Sequence, residues 1–134
     1  MYLIEIYKEM NPEEITKFNT PESQGAFCFH FVYIEILLSQ PAILDDLNQD
    51  DIIYLMKKTL SVYEGKNKFP DKYSKYSLST TSLLLGRILE ITDASLYERL
   101  LPLGIKSFVE NGYLPNKILV DQIVAVSKEY VDHL

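Results

Sequence analysis

His30 is the residue best suited to acid–base chemistry, because histidine titrates near neutral pH. It lies in the most apolar stretch of the chain, residues 26–38, whose one charged residue is Glu35. At about 100° per residue on a helix, the two side chains point to different faces and do not act together. We interpret His30 as a core imidazole, hydrogen-bonded to a tyrosine hydroxyl or a backbone carbonyl. The alternative is a ligand-binding pocket lined by His30, Glu35 and several of the ten tyrosines.

Four acidic side chains fall within seven residues: Asp45, Asp46, Asp50 and Asp51. Asp50 and Asp51 suit the first turn of a helix, and Asp45 and Asp46 suit a solvated turn. Residues 1–67 contain five lysines and eleven acidic residues, whereas residues 68–134 contain eight of each sign, so the first half carries the whole net charge of -6. A basic protein partner is therefore electrostatically favoured, while nucleic acid and anionic membranes are disfavoured.

One segment, residues 66–76, combines positive charge with aromatic rings. Its candidate binding residues are Lys68, Phe69, Lys72, Tyr73 and Tyr76. Single-stranded nucleic acid is bound by this combination, with cations on phosphates and rings on bases. In a chain with net charge -6 the simpler interpretation is a solvated loop held to the helices by its rings, and a protein partner could also use them.

Residue counts argue against metal and nucleotide sites. The two histidines and the single cysteine have none of the spacings of zinc ligands. The aspartates lack the glycine and final glutamate of a calcium-binding loop, and the five isolated glycines form no phosphate-binding loop. We expect no metal and no cofactor, and an enzyme is the function class with the least support.

The elements that would position these residues are helices, because apolar residues recur at helical spacing and no long run alternates with period two. The predicted helices cover residues 2–10, a short segment after Asn11, about 21–39, a turn at 42–47, 49–64, about 77–91, a helix from about 93 that Pro102 and Gly104 interrupt, and 117–132. Residues 65–76 are predicted to be the longest loop.

Capping residues set several of these boundaries. Thr20 and Asn48 precede two of the helices, and Ser77, Ser79, Thr80 and Thr81 are interpreted as caps of another. Lys57 and Lys58 are placed towards the end of the helix 49–64, where the helix dipole favours cations.

The helix over residues 26–38 is predicted to be the buried centre of the protein, since it is apolar on nearly every side and too short to span a membrane. A helical projection of the whole predicted helix, about residues 21–39, places four of its more polar or small residues in one stripe that reaches solvent or a polar neighbour: Gln24, Cys28, Glu35 and Ser39.

The fold class is therefore all-α, a single domain of six to seven helices. The arrangement is either an irregular orthogonal bundle or a short stack of helical pairs like those of HEAT and armadillo repeats. Residues 97–108 resemble the second helix of a HEAT-type repeat, a resemblance that covers one helix.

Cys28 is the only cysteine, so no intramolecular disulfide can form, and we expect a reducing, cytoplasmic location with the thiol buried in the apolar helix. Residues 1–10 carry two glutamates and no basic start, unlike a secretory signal.

These observations favour a non-catalytic protein-binding module whose acidic N-terminal half faces a basic partner. In size and charge the chain resembles bacterial immunity and antitoxin proteins, a resemblance that implies inhibition of a basic protein. The alternative is a small-ligand or regulatory helical domain with a tyrosine-lined pocket near His30.

Overall fold

The computed structural model describes residues 3–9, 15, 17, 20–65, 71–111 and 116–133. This described part contains eight α-helices, one 3-10 helix and no strand, so the predicted all-α class is confirmed. The helices are α1 (Leu3–Glu9), α2 (Pro21–Ser39), α3 (Pro41–Asp45), α4 (Gln49–Glu64), α5 (Asp71–Thr92), α6 (Ala94–Glu98), α7 (Ile105–Asn111) and α8 (Lys117–Asp132), with the 3-10 helix Leu101–Leu103 between α6 and α7.

Side-chain caps begin three of the long helices, and two of these caps, Thr20 and Asn48, are predicted by the sequence. Asn48 Oδ1 accepts the Asp51 backbone N–H at 2.8 Å, and Asn116 Oδ1 accepts that of Leu119 at 2.8 Å. Thr20 and Ser23 form a reciprocal capping box at the start of α2. Each cap satisfies a backbone donor that the helix itself leaves free. The predicted bounds 49–64 and 117–132 therefore coincide with α4 and α8.

Helix α5 corrects the predicted loop at 65–76 and the predicted caps after it. The helix begins at Asp71, so residues 71–76 are helical, while residues 66–70 lie outside the described part. Ser77, Ser79, Thr80 and Thr81 lie inside this helix rather than before it, and all of them except Ser79 are buried. A hydroxyl can bond the carbonyl one turn back, as Ser82 Oγ does to Leu78 O at 2.6 Å, so serine and threonine are compatible with a buried helix.

The core lies around α5, which packs against α2, α4, α6, α7 and α8. Four apolar side chains of α5 are completely buried in this core: Leu84, Leu85, Ile88 and Leu89. Gly86 allows α7 to approach closely, since a Cβ there would lie 3.2 Å from Ile105 Cδ1. Contacts between elements distant in sequence, such as α2 with α5 and α4 with α8, are typical of a bundle, because a repeat stack joins only neighbouring units.

Helix α2 is not the enclosed centre that its composition predicts. Val32, in its middle, is 53% exposed, and Cys28 is exposed rather than buried. The predicted stripe is confirmed, since Gln24, Glu35 and Ser39 are exposed as well. The opposite face carries the buried side chains because α1 and α5 pack against it.

The segment with HEAT-like sequence is broken into pieces. Helix α6 ends at Glu98, a 3-10 helix follows, and Gly104 takes a left-handed φ of 91° before α7 begins. Pro102 and Gly104 cause the predicted interruption, because proline removes a donor and glycine tolerates the left-handed conformation. The continuous helix that the resemblance implies is not present.

Among the described residues, no helix combines the length and the apolar content that a membrane crossing requires.

Candidate functional site

The predicted acidic residues meet at the turn between α3 and α4. Asp45, Asp46 and Asp50 are exposed, and we call these three the acidic turn. Within the described part of the chain none of their carboxylates forms an ion pair. Asp51 differs, because it pairs with Lys8 of α1 and its side chain is only 14% exposed. The surface therefore presents three of the four predicted charges.

The local fold uses only part of this acidity. Asp50 lies in the first turn of α4, where a negative charge interacts favourably with the helix dipole. Asp45 and Asp46, by contrast, lie at the C-terminal end of another helix, α3. The helix dipole gives a carboxylate no stabilisation there. These two carboxylates are thus available to another molecule.

The basic aromatic segment is only partly described. Lys68 and Phe69 lie outside the described residues. Lys72, Tyr73 and Tyr76 belong to the first turns of α5, and their side chains are also outside the described part. The prediction that they lie in a loop is wrong for these three residues.

His30 is fully buried, as predicted for a core imidazole. Its ring stacks on the Tyr7 ring at a centroid distance of 5.4 Å and meets the edge of Phe31 at 4.7 Å. The predicted hydrogen bond is not formed, because neither ring nitrogen has a partner in the described structure. Glu35 is exposed on the other side of α2, so the two predicted pocket residues do not line one cavity.

Lys58 is a buried cation that sequence reasoning placed at a solvated helix end. It is 3% exposed, and its ammonium donates a hydrogen bond to the Tyr7 backbone carbonyl. The same ammonium lies 4.2 Å from the centroid of the Tyr7 ring, a favourable cation–π position. The spacing in the sequence indicates this burial. Lys58 lies three residues after Leu55 and four before Val62, which places it on the buried face of α4.

Two further polar side chains complete a group of five around the Tyr7 ring. The Tyr33 ring lies 4.9 Å from that of Tyr7, and Thr59 neighbours the Tyr7 hydroxyl without hydrogen-bonding geometry. The hydroxyls of Tyr7, Tyr33 and Thr59 have no partner within the described part of the chain. We call this group, Tyr7, His30, Tyr33, Lys58 and Thr59, the buried polar cluster.

Burial shifts the pKa of each titratable member towards the neutral form. Burial, assisted by the charge of Lys58, lowers the pKa of His30 to about 3, and burial lowers the pKa of Lys58 to about 8. Burial and the Asp51 carboxylate raise the pKa of Tyr33 to about 12. Burial also raises the pKa of Tyr7. At pH 7 the imidazole is neutral, the phenols keep their protons, and Lys58 is the cluster's cation.

Helix α1 covers the cluster and is held by polar contacts. The Tyr54 hydroxyl donates to the Lys8 carbonyl at 2.9 Å, Lys8 pairs with Asp51, and Lys58 donates to the Tyr7 carbonyl. All three partners on the body of the protein belong to α4, while the Tyr7 ring packs on His30 and Tyr33 of α2.

Two shallow surface depressions, of about 230 and 300 Å³, lie away from the cluster, between α6 and α8 and between α4 and α8. Both are at or below the lower limit of volumes that hold small ligands. The described residues include no group of three or more histidine, cysteine or acidic side chains that could hold a metal ion.

Comparison of the chain with protein-family models, with curated proteins and with solved structures found no match.

Proposed function

We propose that this protein is a non-catalytic binding module that recognises a basic protein surface through the acidic turn. The observation that carries the proposal is the exposure of Asp45, Asp46 and Asp50, together with the absence of ion pairs to them within the described part of the chain. They lie in the half of the chain that carries the entire net charge of -6.

Exposed charge of one sign acts mainly on the rate of encounter. Complementary charges steer a partner into place and raise the association rate, while dissociation depends on the packed contacts formed afterwards. Salt weakens this steering because the screening length is about 10 Å at 0.1 M. A basic partner should therefore associate more slowly as ionic strength rises.

A special case of the proposal is inhibition, in which the module covers the basic active surface of an enzyme or toxin. The small size of the chain and its acidity support this case. It predicts that an equimolar amount of this protein abolishes the activity of the captured partner. A cytoplasmic location belongs to the same proposal, since a chain with one cysteine needs no disulfide.

The test begins with affinity capture from the native cell, followed by association kinetics with the identified partner. The double variant Asp45→Asn with Asp46→Asn keeps the Asn48 cap and Asp50. It should lower the association rate several-fold and leave thermal stability nearly unchanged, because neither side chain makes a described contact that folding needs.

The matched control is Glu98→Gln with Asp132→Asn, which removes two exposed acids from the charge-balanced half. This control should leave the association rate unchanged. A partner that ignores the Asp45 and Asp46 changes but is lost with Lys68→Glu and Lys72→Glu would contradict the proposal and identify the basic aromatic segment as the binding site.

A further inference from the structure

We propose that the buried polar cluster is a binding site for a small oxyanion, a carboxylate or a phosphate, and that α1 is the lid that closes over it. This site is separate from the acidic turn and independent of the function proposed for that surface.

The first support is the number of buried polar atoms without partners at one place. The hydroxyls of Tyr7, Tyr33 and Thr59 and both nitrogens of His30 have no hydrogen-bond partner among the described residues, and all four side chains are at least nine-tenths buried. The large majority of buried side-chain polar atoms in proteins are hydrogen-bonded. Three such residues around the Tyr7 ring, whose own hydroxyl is also without a partner among the described residues, indicate that another molecule completes the group.

The second support is the chemistry of these atoms, which are mostly donors. Three hydroxyls, one imidazole N–H and the Lys58 ammonium can all donate, and no carboxylate belongs to the cluster. None of the ion pairs among the described residues includes Lys58. An oxyanion accepts several hydrogen bonds at once and would neutralise the buried ammonium, whereas a cation would be repelled by it.

The surrounding charges are consistent with this sign. From α4, Asp51 reaches the edge of the cluster but is paired with Lys8 of α1. Glu5 and Glu9 of α1 are exposed to solvent. The buried residues of α2 include two titratable groups, Tyr33 and His30, and His30 is neutral. Among the described residues, Lys58 is therefore a buried cation that no carboxylate pairs with.

The third support is the way α1 is attached. It is seven residues long, and its described buried side chains are Ile4 and Tyr7. Its remaining attachment is the set of polar contacts to Tyr54, Asp51 and Lys58 of α4. Polar contacts can be exchanged for water at low cost, so the opening of α1 costs mainly the exposure of Ile4 and Tyr7 to solvent. Its departure would open His30, Tyr33, Lys58 and Thr59 to an entering anion.

The experiment titrates the full-length protein with sodium phosphate and, separately, with sodium acetate, holding ionic strength constant with sodium chloride. Thermal stability and the NMR signals of the His30 ring are followed. We expect a saturable rise in the melting temperature and a saturable shift of the His30 signals with at least one oxyanion. A response to phosphate alone identifies a phosphate ligand, and a response to acetate alone identifies a carboxylate.

Matched variants locate the response. Lys58→Met should abolish it, while Lys57→Met, which removes the exposed neighbouring cation, should preserve it. Tyr33→Phe removes one donor and keeps the ring, so it should weaken apparent affinity about tenfold, and it serves as the second test if Lys58→Met does not fold.

The proposal is overturned if neither oxyanion gives a saturable response, or if Lys58→Met and Lys57→Met reduce the response equally. It is also overturned if the melting temperature rises while the His30 signals do not move, since the ion would then bind elsewhere. The variant Asp45→Asn with Asp46→Asn should bind the oxyanion normally, which separates this result from that of the acidic turn.

Discussion

At the level of single residues, burial determines the chemistry of His30. An imidazole that would be partly protonated in water is held neutral here, because burial disfavours its charged form and the positive charge of Lys58 repels a second one. The sequence placed His30 on the buried face of its helix but could not identify the influence of Lys58 on its pKa, since the two residues lie on different helices, α2 and α4.

The pKa of His30 predicts a loss of stability in acid. The folded-state pKa is about 3 and the ordinary value is 6.5, so the unfolded chain takes up the proton first as pH falls. The stabilisation is complete above pH 6.5 and is lost progressively down to about pH 3. Urea unfolding should show about 2 to 4 kcal/mol less stability at pH 4 than at pH 7 from this residue.

The variant His30→Leu isolates this contribution, because carboxylates elsewhere also change with pH. Its stability should depend less steeply on pH between 4 and 6.5 than that of the natural chain. If NMR shows the His30 ring titrating near pH 6.5 in the folded protein, the imidazole is solvated and the expectation is wrong.

Cys28 gives a second prediction at this level. Its exposure on α2 means that a thiol reagent should modify the folded protein fully without denaturant, and the helical circular dichroism spectrum should not change. Modification that requires urea would show that this face of α2 is covered in solution.

Among the helices, α2 has two faces that are both apolar in sequence yet have different surroundings. Phe31 is 3% exposed and contacts the rings of His30 and Phe27, whereas the adjacent Val32 is 53% exposed. The composition of the helix does not distinguish them. The described neighbouring helices do, because they bury the Phe31 side of α2 and leave Val32 exposed.

This difference predicts contrasting costs for truncation. Phe31→Ala should lower the free energy of unfolding by about 3 to 5 kcal/mol, since it leaves a cavity in the core. Val32→Ala should change it by less than about 1 kcal/mol, because the side chain is largely in water. Chemical denaturation of both variants checks this, and equal costs would mean that α2 is enclosed on both faces.

Two glycines form a matched pair for backbone conformation. Gly104 has a φ of 91°, so Gly104→Ala should destabilise the protein by about 1 to 2 kcal/mol. Gly25 lies in α2, and no atom lies within 4 Å of the position that an alanine Cβ would take there, so Gly25→Ala should stabilise the protein by about 0.5 to 1 kcal/mol. Melting temperatures should therefore move in opposite directions. A loss at position 25 would indicate that the added methyl group meets a steric contact there.

Across the described part of the molecule, α5 organises the fold, and α1 is not among the helices that pack closely on it. Five helices pack against α5, while α1 packs on α2 and reaches α4 through polar contacts. Stability is therefore expected to differ along the chain.

Native-state hydrogen exchange measures this difference. Amides of α1 should exchange through local opening, at a lower free energy than those of α5, which should require global unfolding. Lys8→Met removes the ion pair with Asp51 and should speed exchange in α1 while leaving α5 unchanged. Exchange of both helices at one common free energy would show that α1 is an integral part of the core.

Helix ends that depend on contacts within four residues can be derived from the sequence. Thr20, Asn48 and Asn116 each bond a backbone N–H three positions on, so these helix starts can be predicted without knowing the rest of the molecule. The interruption at Pro102 and Gly104 is local for the same reason.

Which surfaces meet depends on the tertiary structure. Ser77, Thr80 and Thr81 have the residue types of caps, yet the helices packed on α5 bury them inside it. Lys58 has the type and position of a solvated helix-end cation, yet α1 closes over it and leaves it beside His30. Such interactions join residues 28 to 51 positions apart, and their free energy depends on which apolar faces the whole chain can bury together.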